Sequence, residues 1–343
     1  MKHYTATCIV IVTLILASIM LPLVAAHAPL GTGDNESIDK ATVIPDPTKS
    51  WALYSALNKD GDAQYYTFNV TAGQTIHVTM YKSMRDQDVT FVPRLIIVGP
   101  NVTTQGNIPS KITVPSGLNA QLVNQTAPTP TFEPFSPGTF TGFPDTTLEN
   151  PTPGKYYLVV FEQSDAPKGG NYGLAIGDRE IYTIDEWFLI PFNLMNIYQW
   201  EGQNLALILT PMITTLIVGV ILVAWQLRRR CGLANPLAWL GAIAGLTFIG
   251  TSATTLGELI SCATKVSVGV EAVITLIFAL VPLALGLVAV RLSIKNSQKA
   301  TFRKRIYFVI LGVAALFIWA GLIVGPILAI ITAVMPTILR KKN

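Results

Sequence analysis

The chain changes its hydrophobic pattern near residue 200. Upstream, apolar and polar residues alternate. Tyr66, Phe68 and Val70 are followed, after Ala72-Gly73, by Ile76, Val78 and Met80. Period two sets residues i and i+2 on one face, so this stretch predicts a β-hairpin whose buried face carries Tyr66, Phe68, Ile76 and Val78, with Thr67 and His77 facing outward. Further strands are predicted at residues 94–98, ended by Gly99-Pro100, at 155–161 and at 172–176. Residues 101–153 are rich in Pro, Thr, Gly and Asn and lack a helical period. They predict either a long elaborated loop or a few short edge strands. A region of about 150 residues is large enough for one all-β sandwich with its own core.

Downstream, the pattern is nearly continuous hydrophobicity. Residues 205–227 carry no charge and end in Arg228-Arg229-Arg230. At 1.5 Å per residue such a run crosses a hydrocarbon layer of roughly 30 Å, where a helix satisfies its own backbone. Two more spans are predicted, at 236–256 after Asn235-Pro236 and at 270–290. Gly241 and Gly245 in the first of these form a small-xxx-small face for close packing, within one chain more often than between two. The last apolar run, 306–339, is ~50 Å long as a straight helix, too long for one untilted span and too short for two comfortable ones. One long helix over 306–335, kinked at Gly325-Pro326, is the expectation. The alternative is a tight hairpin that returns Arg340, Lys341 and Lys342 to the side of the preceding basic loop.

Between the two patterns, Tyr182, Trp187, Phe188, Phe192, Tyr198 and Trp200 lie among Asp185, Glu186 and Glu201. Amphipathic rings favour the headgroup level, which predicts a short interfacial segment feeding the first span. A last sandwich strand is the alternative, because Pro191 would break any long helix.

Composition and charge sharpen this picture. The chain is 50% hydrophobic and only 13% charged, against roughly 25% charged in a soluble domain. Its net charge of +4 is sorted by region: residues 27–186 hold 17 acidic and 10 basic residues, while residues 228–342 hold 13 basic residues against Glu258 and Glu271. The basic residues therefore read as topology signals rather than a nucleic-acid surface, and they assign the Arg triplet and the loop at 291–305 to the cytoplasm. Lys2, His3, an apolar run over 8–24 and Val24-Ala25-Ala26 form a leader pattern over residues 1–26, with an uncleaved anchor as the alternative. Its removal would leave His27 first. The expected division is then a leader at 1–26, an extracytoplasmic sandwich at 27–180, an aromatic junction at 181–203 and a polytopic helical domain at 204–343.

Residues 27–200 contain no cysteine, so the outer domain is held by its core and not by disulfides. Acceptor tripeptides for N-glycosylation begin at Asn35, Asn69, Asn101 and Asn124.

Residues 62–76, Asp-Ala-Gln-Tyr-Tyr-Thr-Phe-Asn-Val-Thr-Ala-Gly-Gln-Thr-Ile, combine an acidic residue, an aromatic pair and "F-x-V-x-A-G" before a strand. Together with Gly154-Lys155-Tyr156-Tyr157-Leu158-Val159-Val160 and Gly170-Asn171-Tyr172-Gly173-Leu174, this resembles the bacterial pre-peptidase C-terminal domain. The resemblance covers about 51–177, and the insertion at 101–151 departs from the compact family pattern. It implies a jelly-roll-like sandwich that serves as an accessory or binding module and supplies no catalytic residue. With the helical half, the expected fold class is an all-β, jelly-roll-like ectodomain followed by an α-helical bundle of four transmembrane spans.

Candidate chemistry is sparse. No zinc-protease, dithiol, phosphate-loop, dinucleotide or nucleophile-elbow motif occurs. Glu258 and Glu271 are carboxylates of the membrane region, expected near span ends in a short outer connection with Cys262 and Lys265. The expectation is a non-enzymatic, multi-pass protein of the cell membrane with its N-terminal domain outside. Its partners would be the lipid bilayer, a protein or glycan on the ectodomain, and a membrane complex or oligomer. No cofactor is expected in this reading. The alternative is a copper protein, in which the α-amine and imidazole of a mature His27 chelate the metal with His77, resembling a histidine brace.

Overall fold

A computed structural model describes residues 27–335 apart from 85–89, 126, 165, 231–235 and 296–300. The leader expectation over 1–26, and residues 336–343, lie outside the described residues. Two sheets face each other. One has six strands in the order β1-β3-β11-β5-β9-β8, formed by β1 (Ala28–Pro29), β3 (Trp51–Leu57), β5 (Thr75–Ser83), β8 (Thr129–Glu133), β9 (Gly138–Glu149) and β11 (Gly170–Ile176). The other has five in the order β2-β4-β10-β6-β7, formed by β2 (Thr42–Val43), β4 (Gln64–Val70), β6 (Pro93–Gly99), β7 (Asn119–Leu122) and β10 (Gly154–Glu162).

The residues between the sheets are those the alternation marked. Tyr66, Phe68, Ile76 and Val78 are all buried in one core with Leu53, Leu158, Val160 and Leu174. Phe68 stacks on Tyr156 at 5.9 Å, and the hydroxyls of Tyr66 and Tyr172 meet at 2.6 Å inside it. The expected hairpin is not formed, however. β4 pairs with β10 and β2, whereas β5 pairs with β11 and β9, so the turn at Gly73 (φ +81°) carries the chain from one sheet to the other. Alternation specifies which face is buried and not which strand is the neighbour, so a hairpin and an inter-sheet corner read alike.

Thr67 is a second correction. It is buried, and its hydroxyl donates to Tyr156 O at 3.0 Å. The outer face of the five-stranded sheet is covered by the chain over 101–122, so that Tyr65, Ile96, Val98, Tyr157, Val159 and Phe161 build another core with Ile112, Ala120 and Leu122. The long insertion is thus part lid and part strand. Its last section supplies the twelve-residue β9, which pairs with β5 around a bulge opposite Thr79–Tyr81 that accommodates Pro144.

Beyond the sandwich come α1 (Ile184–Trp200), α2 (Leu205–Arg230), α3 (Pro236–Ala263), α4 (Ala272–Ile294), α5 (Phe302–Phe317) and α6 (Val324–Val334). Three of them, α2 to α4, are long and apolar enough to cross a membrane. Glu258 and Cys262 lie within α3 rather than in the connection that follows it. α3 and α4 touch backbone to backbone: a Cβ on Gly286 would lie 2.5 Å from Gly245 O, and one on Gly245 would lie 2.7 Å from Gly286 O.

The last apolar run is not one kinked helix. Between α5 and α6, Trp319, Gly321 and Leu322 take left-handed φ values of +52°, +73° and +57°, and the chain turns back on itself. Arg305 at the start of α5 donates to Ala333 O near the end of α6 at 2.8 Å, which closes the base of an antiparallel pair. Gly312 packs against Pro326 and Ile330 along its length. The kink expected at Gly325-Pro326 is absent, because Pro326 occupies the first turn of α6, where no backbone donor is needed.

Candidate functional site: a cavity between the six-stranded sheet and helix α1

Period two also decides what faces outward from the six-stranded sheet. With Leu53, Met80 and Leu174 in the core, Tyr54, Tyr81, Thr79, His77 and Ala175 must project from the opposite face. Gly173 sits in register between Tyr54 and Tyr81 and has no side chain to separate them. The two rings meet edge to face across it, with centroids 6.3 Å apart.

Helix α1 crosses this face and is fixed to the sandwich at both ends. At its N-terminus, Thr183 and Glu186 form a capping box, and Glu186 also takes Lys49 Nζ at 2.6 and 2.8 Å. Burial alone would raise the Glu186 carboxyl, but Lys49 and the Thr183 amide hold it below its usual range. At its C-terminus, Trp200 Nε1 donates to Ser55 O at 2.9 Å, and its ring lies 5.0 Å from that of Tyr54. Between these ends Ile190, Asn193, Leu194 and Ile197, at helical spacing, face the sheet across a cavity of about 370 Å³. The junction is therefore a helix laid on the sandwich and not the last sandwich strand of the alternative expectation.

Pro191 lies inside α1 and leaves the carbonyl of Trp187 without its helical donor. Trp319, in the turn between α5 and α6, supplies one, donating its indole N–H to Trp187 O at 2.9 Å. The rings of Trp187 and Trp319 lie 4.5 Å apart. From the loop after β8, Phe135 packs edge-on against both Phe278 of α4 and Trp319, and Thr275 donates to Pro134 O at 2.5 Å. The cavity floor and the helical half are thus in direct contact.

The cavity brings His27 and His77 to one place, with Glu133, Asp178, Glu180 and Tyr182. His27 is held by β1, and its Nδ1 lies 2.5 Å from Ser50 Oγ. The residue is exposed overall, and desolvation of its ring lowers its pKa, opposed by Asp178 and aided by His77. His77 is different. Nδ1 faces Asp178 at 2.9 Å and Nε2 faces Asp145 at 2.5 Å. Its partial burial favours the neutral ring, but the two carboxylates overcome this and raise its pKa. A ring bonded on both nitrogens to carboxylates is an ion-pairing cation, whereas metal ligation needs a neutral ring with a free lone pair. Among the described residues, no group of three or more His, Cys, Asp or Glu is placed to hold a metal ion. The same two bonds keep His77 from acting as a base on Thr79, whose Oγ1 lies 3.4 Å from Nε2.

The remaining candidates lie elsewhere. Glu258 is buried in α3 and accepts from Gln203 Nε2 at 3.0 Å, while half-buried Glu271 directly precedes α4 and accepts from Gly269 N at 2.8 Å. Asn69, Asn101 and Asn124 are exposed. Asn35 is buried with its amide donating to Tyr65 O, which leaves no room for a glycan there.

The chain is similar to a pre-peptidase C-terminal domain. One matching solved structure is that domain of a collagenase from Bacillus anthracis, aligned over 40% of this chain and 93% of that chain at 16% identity and a TM-score of 0.22. No family model matches the chain, and no curated protein matches it.

Sequence reading found the two histidines and missed the aromatic wall. The available signal was Tyr54 and Tyr81 themselves. Large rings at outward positions of two strands mark a face that something covers.

Proposed function

We propose that this chain is a multi-pass protein of the cell membrane whose β-sandwich is a non-enzymatic binding module held outside the cell. The observation that supports this most is the cavity between the sheet and α1. It is concave, aromatic-walled and furnished with a few convergent polar groups, as small-molecule sites are. Helix α1 also presents Ile184, Phe188, Leu189 and Phe192 outward, an apolar edge suited to the membrane interface beside the first span.

In this reading α2, α3 and α4 cross fully, and the expected fourth span becomes the α5–α6 hairpin. α5 and the described part of α6 reach about 24 Å and about 16 Å, short of a full crossing. The hairpin enters from the cytoplasmic side, where the basic residues at 228–230 and 291–305 lie. Exposed residues of the sandwich face outward.

Two measurements test this. Single cysteines placed at Lys59 and Lys168 should label in intact cells, and one placed at Lys295 should label only after lysis. Native mass spectrometry of the full chain purified from its own membranes should show a bound small molecule that Asn193→Trp, which fills the cavity, removes without loss of melting temperature. Labelling of Lys295 from outside overturns the orientation, and identical spectra without an adduct overturn the binding module.

A further inference from the structure

Resting on the reading of this cavity as the binding site, the chemistry of its lining narrows the ligand. Among the described residues, no lysine or arginine lines it. Its two histidines are already engaged, His27 Nδ1 by Ser50 Oγ and His77 by Asp145 and Asp178. Glu133, Asp178 and Glu180 give the lining three acidic groups, and Tyr54, Tyr81, Phe135, Phe140 and Tyr182 supply the walls.

Glu133 is the centre of this arrangement. It ends β8, next to the loop that carries Phe135 into the helical half, and its carboxylate accepts from Phe135 N at 3.0 Å. The cavity sets it together with Tyr54 of β3, Tyr81 of β5 and Tyr182 of the loop before α1. Burial pushes its carboxyl up, the backbone amide of Phe135 opposes this, and the negative charge of Glu180 pushes it up further. What would relieve both burial and repulsion is a positive charge placed in the cavity.

We infer that the cavity receives a small organic ammonium ion, its charge set against Glu133 and its alkyl groups against the faces of Tyr54, Tyr81 and Tyr182. Aromatic faces attract an alkylated ammonium through the ring quadrupole, most strongly where water is excluded, and a nearby carboxylate adds a direct ion pair. A volume of about 370 Å³ admits such a molecule with room for a short polar arm toward Asn193. A neutral sugar could use the same rings but would leave Glu133 without a counter-charge.

The test is calorimetric titration of the full chain in detergent with choline, with n-butylammonium, and with 3,3-dimethyl-1-butanol, the neutral isostere of choline. The proposal expects saturable binding of at least one ammonium ion, at least about tenfold tighter than the alcohol, and a similar loss for choline in Glu133→Gln. Glutamine keeps the acceptor for the Phe135 amide, so the fold should survive. Should its melting temperature fall, the ratio of choline to alcohol on the unaltered chain decides alone. Equal affinity for alcohol and choline overturns the cation and leaves the cavity as a neutral binding site. Failure of both ammonium ions to saturate below about 10 mM overturns the proposal, while the labelling pattern and native spectrum still judge the membrane-anchored module.

Discussion

The two halves of this molecule use apolar side chains in opposite ways. In the sandwich they point inward: along β5, Ile76, Val78 and Met80 are fully buried while His77, Thr79 and Tyr81 are not. In the helical half many large ones point outward, as Leu207, Ile213, Ile217 and Ile221 of α2 do, and although Phe248, Leu285 and Phe308 are buried between helices, the closest approaches are made at Gly241, Gly245, Gly286 and Gly312. The difference is the solvent. Water drives the sandwich to hide its apolar residues, whereas lipid removes that drive and leaves close backbone approach to hold helices together. Helix α1 meets both rules, with one face on the sheet, another on Trp319 and an apolar edge outward.

Substitutions can break that contrast, beginning with the largest effect. Phe68→Ala opens a cavity in the sandwich core and should destabilise it by about 3–5 kcal/mol in a denaturant melt. Gly286→Val does the opposite by inserting atoms where α3 and α4 touch, and should destabilise the helical half by about 1–3 kcal/mol while the sandwich transition stays unchanged. If both variants shift a single common transition, the halves are one cooperative unit and the contrast applies to packing only.

Phe68 and Gly245, the helix-packing partner of Gly286, also show how much the sequence disclosed. Phe68 was legible because period-two alternation reports burial directly, and Gly245 because a small-xxx-small face has a plain use in lipid. Strand partnership was not legible: nothing in Tyr66 to Met80 distinguishes a hairpin from a chain that changes sheets at Gly73. Nor was the reversal at Trp319–Leu322, since a non-glycine residue carries little local signal for left-handed backbone, and its partners Thr251 and Trp187 lie far away in the chain. The cavity stayed hidden because its lid, α1, contains the proline that argues against a helix, and the donor that makes Pro191 tolerable comes from residue 319.

That donor offers a finer test of the joint between the halves. Trp319→Phe keeps a ring against Trp187 but removes the N–H, leaving a carbonyl unsatisfied, and should destabilise the joint by about 1–3 kcal/mol. Pro191→Ala restores a helical donor to the same carbonyl and should rescue most of that loss. An additive double mutant would mean the hydrogen bond is not what joins α1 to the hairpin.

The smallest effect belongs to His77, at the cavity mouth. Its pKa is raised in the folded chain, so its ion pairs stabilise fully below the ordinary histidine value of about 6.5 and lose that contribution as pH rises through the raised value. The difference in melting temperature between the parent and His77→Gln should be greatest in mild acid and close at alkaline pH. Because Asp145 and Asp178 are largely exposed, added salt should shrink it.

Helix α1 bridges the two halves, laid over the cavity of the six-stranded sheet on one side and against the hairpin turn on the other. A cryo-electron microscopy structure of the full chain in lipid nanodiscs tests this most directly. It should show α1 across the six-stranded sheet, Trp187 against Trp319, and non-protein density among Tyr54, Tyr81 and Glu133. An α1 in contact with lipid alone, with the sheet face open to water, would contradict it.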